Sequence, residues 1–165
     1  MGGAARKWTG GRRLTFEEFF EAEYLRLGRA MYLMTGDRAE AEDLAQEAMS
    51  RVFERWHRVA GMDSPAGYAY RVAVNLHRRH FRRAEPSAEL RASAGPEELV
   101  ESRDEVLRVL ASLSLEQREA LVLVEWLGLD AEEAGRVLGI DAASVRGRIH
   151  RARVALRDRL GVRDE

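Results

Sequence analysis

The sequence predicts an all-α protein: two small helical domains joined by a linker, the second ending in a helix-turn-helix. Three observations predict it. Apolar residues recur with a helical period along most of the chain, no alternating run of useful length marks a strand, and helix starts and stops are spelled out by capping residues and glycines. The chain has 165 residues, 45% hydrophobic and 33% charged. That is enough apolar material for real cores, and the charge is too mixed in sign for a wholly disordered chain.

The first helix opens at Thr15, with Glu18 three residues on, the spacing at which the two residues cap each other's amides. Phe16, Phe19, Phe20, Leu27, Ala30, Met31 and Met34 share its apolar face, and Gly36 closes it. Asp37 with Glu40 starts the second helix, whose stripe is Ala41, Leu44, Ala45, Ala48, Val52 and Trp56, with Gly61 at its end. Ser64 before Pro65 starts the third, because proline at the first helical position gives up an amide that has no partner there anyway. Its stripe is Ala69, Val72, Ala73 and Leu76. These three helices predict one compact unit over residues 14–84. Residues 1–13 form a basic tail containing Trp8, expected to be disordered. Residues 85–104, with Pro86, Gly95 and Pro96, read as an acidic linker.

The second unit is expected over residues 105–163. Val106, Val109, Leu110 and Leu113 open it, and Ser114 with Gln117 caps the next helix. The run from Ala120 to Leu127 is apolar nearly all round, which predicts a central buried helix ending at Gly128. Asp130 with Glu133 starts a short helix over 130–138. Gly139-Ile140-Asp141 makes a tight connection to a last helix with the stripe Val145, Ile149, Ala152 and Leu156, closed by Gly161. A short helix, a glycine turn and a basic helix are the helix-turn-helix pattern.

The formal net charge of −1 hides strong segregation. Residues 1–13, 61–84 and 146–165 are each basic by four charges, whereas residues 14–60, 85–105 and 106–145 are acidic by four, five and four. Separate basic clusters in an acidic chain fit a protein that meets nucleic acid with some faces and other partners elsewhere. There is no cysteine, which excludes disulfide scaffolds, cysteine-ligated metals and thiol catalysis. No run approaches the length of a membrane span and residues 1–13 lack the apolar core of a signal peptide, so a cytoplasmic protein without membrane insertion is expected.

Arg71, Asn75, Arg78 and Arg82 are spaced four, three and four apart, so they line one face of the third helix, with Tyr68, Tyr70 and Phe81 adding aromatic surface. Arginines beside rings are how single-stranded bases are held; the alternative is a solvated face. Asp43, Gln46 and Glu47, with Glu40 and Glu54, sit off the apolar stripe of the second helix, as a surface for a basic protein partner or simply a solubilising face. In the last helix, Arg146, Arg148, Arg151, Arg153 and Arg157 fall off the stripe, where they would meet phosphates or base edges. His77 and His80 are three apart, but the surrounding arginines argue against a cation, and no metal or other cofactor is expected. No nucleotide loop, nucleophile elbow or zinc-protease motif is present, so catalysis has no carrier.

These residues resemble the bacterial extracytoplasmic-function (ECF) type of RNA polymerase sigma factor, within the sigma-70 family. The segment Asp37 to Trp56 is similar to the part of the family that binds the clamp helices of the polymerase. Tyr70-Arg-Val-Ala-Val-Asn-Leu76 resembles the helix that reads the -10 promoter element, and Leu113 to Leu160 resembles the -35 binding domain. The resemblance implies that Asp43, Gln46 and Glu47 face core RNA polymerase. Tyr68, Arg71 and Asn75, with the loop from Val59 to Ser64, would melt the -10 element and hold a flipped base, with Arg78 and Arg82 on the same strip. Ser144, Arg146, Gly147, His150 and Arg151 would lie in the -35 major groove of promoter DNA. Gly147 stands where the family commonly has serine, and Ser114 where it has proline. The implied function is to direct core polymerase to a subset of promoters, without enzymatic activity of its own, and an anti-sigma partner is implied by analogy. The rival readings are a stand-alone helix-turn-helix regulator and a helical adaptor that binds only protein.

Overall fold

The computed structural model describes residues 13–83 and 100–161, giving backbone alone for 100–104. The basic tail up to residue 12 and the linker over residues 84–99 lie outside the described residues. Among the described residues there is no strand. The helices are α1 (Phe16–Thr35), α2 (Arg38–Glu54), the single turn α3 (Trp56–Val59), α4 (Pro65–Arg83), α5 (Val100–Ala111), α6 (Leu115–Leu121), a π-turn (Val122–Trp126), α7 (Ala131–Leu138) and α8 (Ala142–Leu160).

The expected caps form. Thr15, Ser114 and Asp130 each make a reciprocal capping box with Glu18, Gln117 and Glu133. Asp37 accepts from the Glu40 amide, and the Ser64 hydroxyl accepts from the Gly67 amide at 2.9 Å. A cap that sequence reasoning missed is Asp141, which starts α8 by accepting from the Ser144 amide at 2.7 Å. Gly36, Gly128, Gly139 and Gly161 adopt the left-handed conformation. Gly61 does not, because α2 stops early: the Arg55 amide turns back to the Val52 carbonyl, and Trp56 begins a separate turn. Helix α5 already runs from Val100, inside the stretch expected to be linker.

The segment expected to be a continuous buried helix changes register. The Leu127 amide reaches back five residues to the Val122 carbonyl, a π-turn that leaves Leu123 and Leu127 both in the core and Trp126 at the surface. A run that is apolar all round carries no face to mark this shift in advance.

Helices α1, α2 and α4 bury most of the predicted stripes against one another, with Phe19, Leu27, Met31, Leu44, Val52 and Ala73 fully enclosed, but Phe20 of the first stripe is exposed. Helices α6, α7 and α8 build the second unit, in which Val145, Ile149 and Ala152 of α8 point inward. The two cores are continuous: α4 packs on α7, α1 packs on the π-turn, and one hydrophobic cluster joins Leu27 and Val74 to Leu123, Leu127 and Leu138. No helix among the described residues is long and apolar enough to cross a membrane.

Candidate nucleic-acid interface

Helix α4 carries the arginine strip. Arg71, Asn75 and Arg82 are exposed along one face, as their spacing predicts. Arg78 is not part of that free surface. Its guanidinium turns to the second unit, where Nε and Nη2 donate to the Glu119 carboxylate at 3.0 and 2.8 Å and Nη1 donates to the Leu138 carbonyl at 3.3 Å. The hydrogen bonds it donates to Glu119 hold the Arg78 pKa above its usual value. Glu119 lies 41 positions along the chain, so helical spacing could not reveal it. Tyr70 is also inside the protein rather than on an aromatic surface. Its hydroxyl donates to the buried Glu23 carboxylate at 2.5 Å, and burial, then the Glu23 charge, pushes the phenol well above its ordinary range. Tyr68 is half-buried and Phe81 is exposed.

Between α2 and α4 lies a cleft of about 310 Å³ lined by Arg51, Glu54, Arg55, Tyr68, Val72, Asn75, Leu76 and Arg79. Three guanidinium groups and one carboxylate surround one ring and one amide, over an apolar floor of Val72 and Leu76. Arg55 donates from Nη1 to the Tyr68 hydroxyl at 3.4 Å. The first two arginines come from α2 and the residue that caps its end, whose part in this cleft the sequence did not disclose. On the outer face of α2, Asp43 and Gln46 are exposed, and Glu47 is half-buried and paired with Arg51 at 2.6 Å. Burial raises the nearby Glu40 carboxyl above its usual range, opposed by His80 and reinforced by Asp37.

In the helix-turn-helix, Gly135 is required by space. A Cβ there would lie 2.6 Å from the Ile140 carbonyl oxygen, so only glycine lets α7 meet the turn this closely. Ser144, Arg146, His150 and Arg151 are exposed near the start of α8, and Gly147 is half-buried among them. The Ser144 hydroxyl donates to Asp141 at 3.0 Å, and the Ser144 amide and hydroxyl hold the Asp141 pKa below its usual value. Arg146 faces Glu132 at 3.7 Å, both side chains well exposed, a pairing worth little in water. Arg151 lies back over its own helix, its Nη1 3.4 Å from where a Gly147 Cβ would be. Arg148 and Arg153 instead turn to Glu116 and Glu125 of the second unit.

Three arginines cross between the units. Besides Arg78, Arg26 of α1 donates to the Leu127 carbonyl at 2.5 Å, and Arg118 of α6 donates from Nη1 to the Met34 carbonyl at 2.8 Å. Arg118 is buried and also serves the carbonyls of Leu110, Ala111 and Leu113, so one side chain satisfies the free ends of both α1 and α5. Next to this crossing sits His77, 3% exposed, with neither ring nitrogen hydrogen-bonded. No group of three or more metal-ligating side chains occurs among the described residues.

An arginine-lined face on one helical unit and a helix-turn-helix on the other define a helical nucleic-acid-binding protein. Residues 19–86 match the family described as Sigma-70 region 2, and residues 103–156 match Sigma-70, region 4. The chain is 30% identical to the RNA polymerase sigma-E factor of Streptomyces coelicolor, covering 93% of this chain and 90% of that one. It is 31% identical to the ECF RNA polymerase sigma factor SigM of Mycobacterium tuberculosis, over 92% and 80%. The sigma factor RpoE of Bartonella quintana, solved with the anti-sigma factor NepR, shares the fold with a TM-score of 0.79 at 19% identity, over 90% of this chain and 98% of that one. CnrH, solved with the cytosolic domain of CnrY, shares it with a TM-score of 0.70 at 22% identity, over 92% and 90%. The chain belongs to the extracytoplasmic-function sigma factors of the sigma-70 family. As a sigma factor it directs RNA polymerase to promoters, and the stand-alone regulator is not favoured.

Proposed function

We propose that the chain divides this task among three surfaces. Asp43, Gln46 and Glu47 on α2 bind core polymerase. Tyr68, Arg71 and Asn75, with Arg82 at the end of the strip, hold the -10 element, a flipped base entering the cleft between α2 and α4. Ser144, Arg146, Gly147, His150 and Arg151 on α8 meet the -35 element. These surfaces bind and do no chemistry, and they act in the cytoplasm, where polymerase and promoter are. The observation that carries the reading is the cleft itself. It sets an aromatic ring and an amide among three guanidinium groups and one carboxylate, Glu54, so the lining keeps an excess of positive charge beside a ring, which suits a base and its phosphates.

The packed arrangement is the resting form. The two promoter elements are centred roughly 25 base pairs apart, about 85 Å at 3.4 Å per pair, whereas a compact chain of this length is about 40 Å across. The units therefore part when both elements are held. That parting frees Arg78 from Glu119 and returns it to the strip on α4. A partner of the anti-sigma type, as in the complex of RpoE with NepR, would act by holding the units away from polymerase.

The test is transcription in vitro with core polymerase on genomic fragments, with start sites mapped. Starts that depend on the protein and share two spaced upstream elements are expected. Asn75→Ala should weaken use of the downstream element and Arg151→Ala the upstream one, while Asp43→Arg should lower the affinity for core polymerase. Absence of any dependent start, with fragments bound equally well without polymerase, overturns the reading.

A further inference from the structure

His77 has no role in the surfaces assigned above, yet it is buried where the two units meet. It lies one residue before Arg78, whose guanidinium is committed to Glu119 and the Leu138 carbonyl. Neither of its nitrogens has a hydrogen-bond partner. The charges that act on it are Arg118 from α6, and His80 and Arg78 from its own helix, all basic. Of the acids that engage these same cations, Glu119 is occupied by Arg78, and Glu40 of α2 acts on His80. A neutral imidazole fits this place as a flat, weakly polar filler edge-on to Phe81. A protonated one would bring a further cation, with both N–H groups unsatisfied, into a closed space beside two guanidinium groups.

We propose that His77 makes the packing of the second unit on α4 an acid-released latch, so that protonating this one ring parts the units and uncovers Arg78.

Burial first, then the charge of Arg118, pushes the His77 pKa down from 6.5 to about 4 in the packed form. Once the units part and water reaches the ring, it returns to the ordinary histidine range. At pH 7.5 the ring is neutral in both forms and the latch is at full strength. As pH falls below 6.5 the open form takes up a proton that the packed form refuses, and the latch weakens until the packed form itself protonates near pH 4. Between pH 7.5 and 5.5 the open-to-packed ratio should rise about tenfold. The consequence for promoter binding rests on the reading of α4 proposed above, but the latch is tested without polymerase or DNA, so either can fail alone.

The absence of cysteine allows a clean label pair on the full chain, at Ser50→Cys on α2 and Asp158→Cys on α8. Energy transfer between the labels is followed from pH 7.5 to 5.5. The expected result is a fall in transfer on acidification that reverses on return to pH 7.5, and that is absent in His77→Phe. An equal fall in His77→Phe, or no fall in either protein, overturns the proposal. Should His77→Phe not pack at pH 7.5, the His77 ring is titrated by NMR in the unsubstituted chain and in Glu119→Arg, which sets two guanidinium groups face to face and holds the units apart. A midpoint well below 6 in the first and near 6.5 in the second supports the latch. The same midpoint in both shows that the first unit alone buries the ring, and overturns it.

Discussion

Replacing Arg78 by alanine leaves the Glu119 carboxylate fully enclosed without its cation, which costs more than the pair itself contributes. Because Arg78 keeps some contact with water, a loss of about 3 kcal/mol, at the low end for broken buried pairs, is expected in denaturant unfolding. The double replacement Arg78→Met with Glu119→Leu should recover most of it. Gly135→Ala should lose about 1–3 kcal/mol and several degrees in thermal melting, because the obstacle is the Ile140 backbone rather than a movable side chain. Residues differ in how far the sequence discloses them. Arg71, Asn75 and Arg82 were legible because neighbours on one helix share a face by arithmetic. Arg78 obeys the same arithmetic, but its acid comes from another unit. Tyr70 reads as an aromatic beside arginines, and only the position of Glu23 on α1 turns it inward.

Helices were the most legible scale, since a capping residue and its partner lie three positions apart and their chemistry is local. Ser114→Ala should lower stability by about 1 kcal/mol by freeing the first amides of α6, measured by thermal unfolding. The π-turn and the early end of α2 were not legible, because both depend on what the neighbouring helix demands of a segment with no distinctive face. For α8 the sequence supplied the basic face but not its division of labour. Arg148 and Arg153 turn to acids of their own unit, while Arg151 stays at the surface. Binding of the chain to -35 duplex should therefore weaken with salt. Arg151→Ala should reduce the slope of log affinity against log salt by about one, as loss of one phosphate contact requires.

At the scale of the molecule, the sequence predicts two units but not that they share a core. Each apolar stripe accounts for itself, and the surfaces that join the units, around Val74, Leu123, Leu127 and Leu138, look like ordinary interior positions of either one. Continuous packing predicts a single cooperative transition in calorimetry at neutral pH, separating into two in Glu119→Arg, where the units no longer support each other. Arg118 places a limit on modularity. Its guanidinium closes the carbonyl end of a helix in each unit with donors fixed in one plane, a set that a lysine ammonium cannot reproduce. A chimaera that grafts a foreign -35 unit onto this -10 unit would inherit the Met34 carbonyl as an orphan unless the graft brings an arginine to the same place. In the packed form the two halves of this protein are thus interchangeable only between partners that agree on a residue touching no promoter at all.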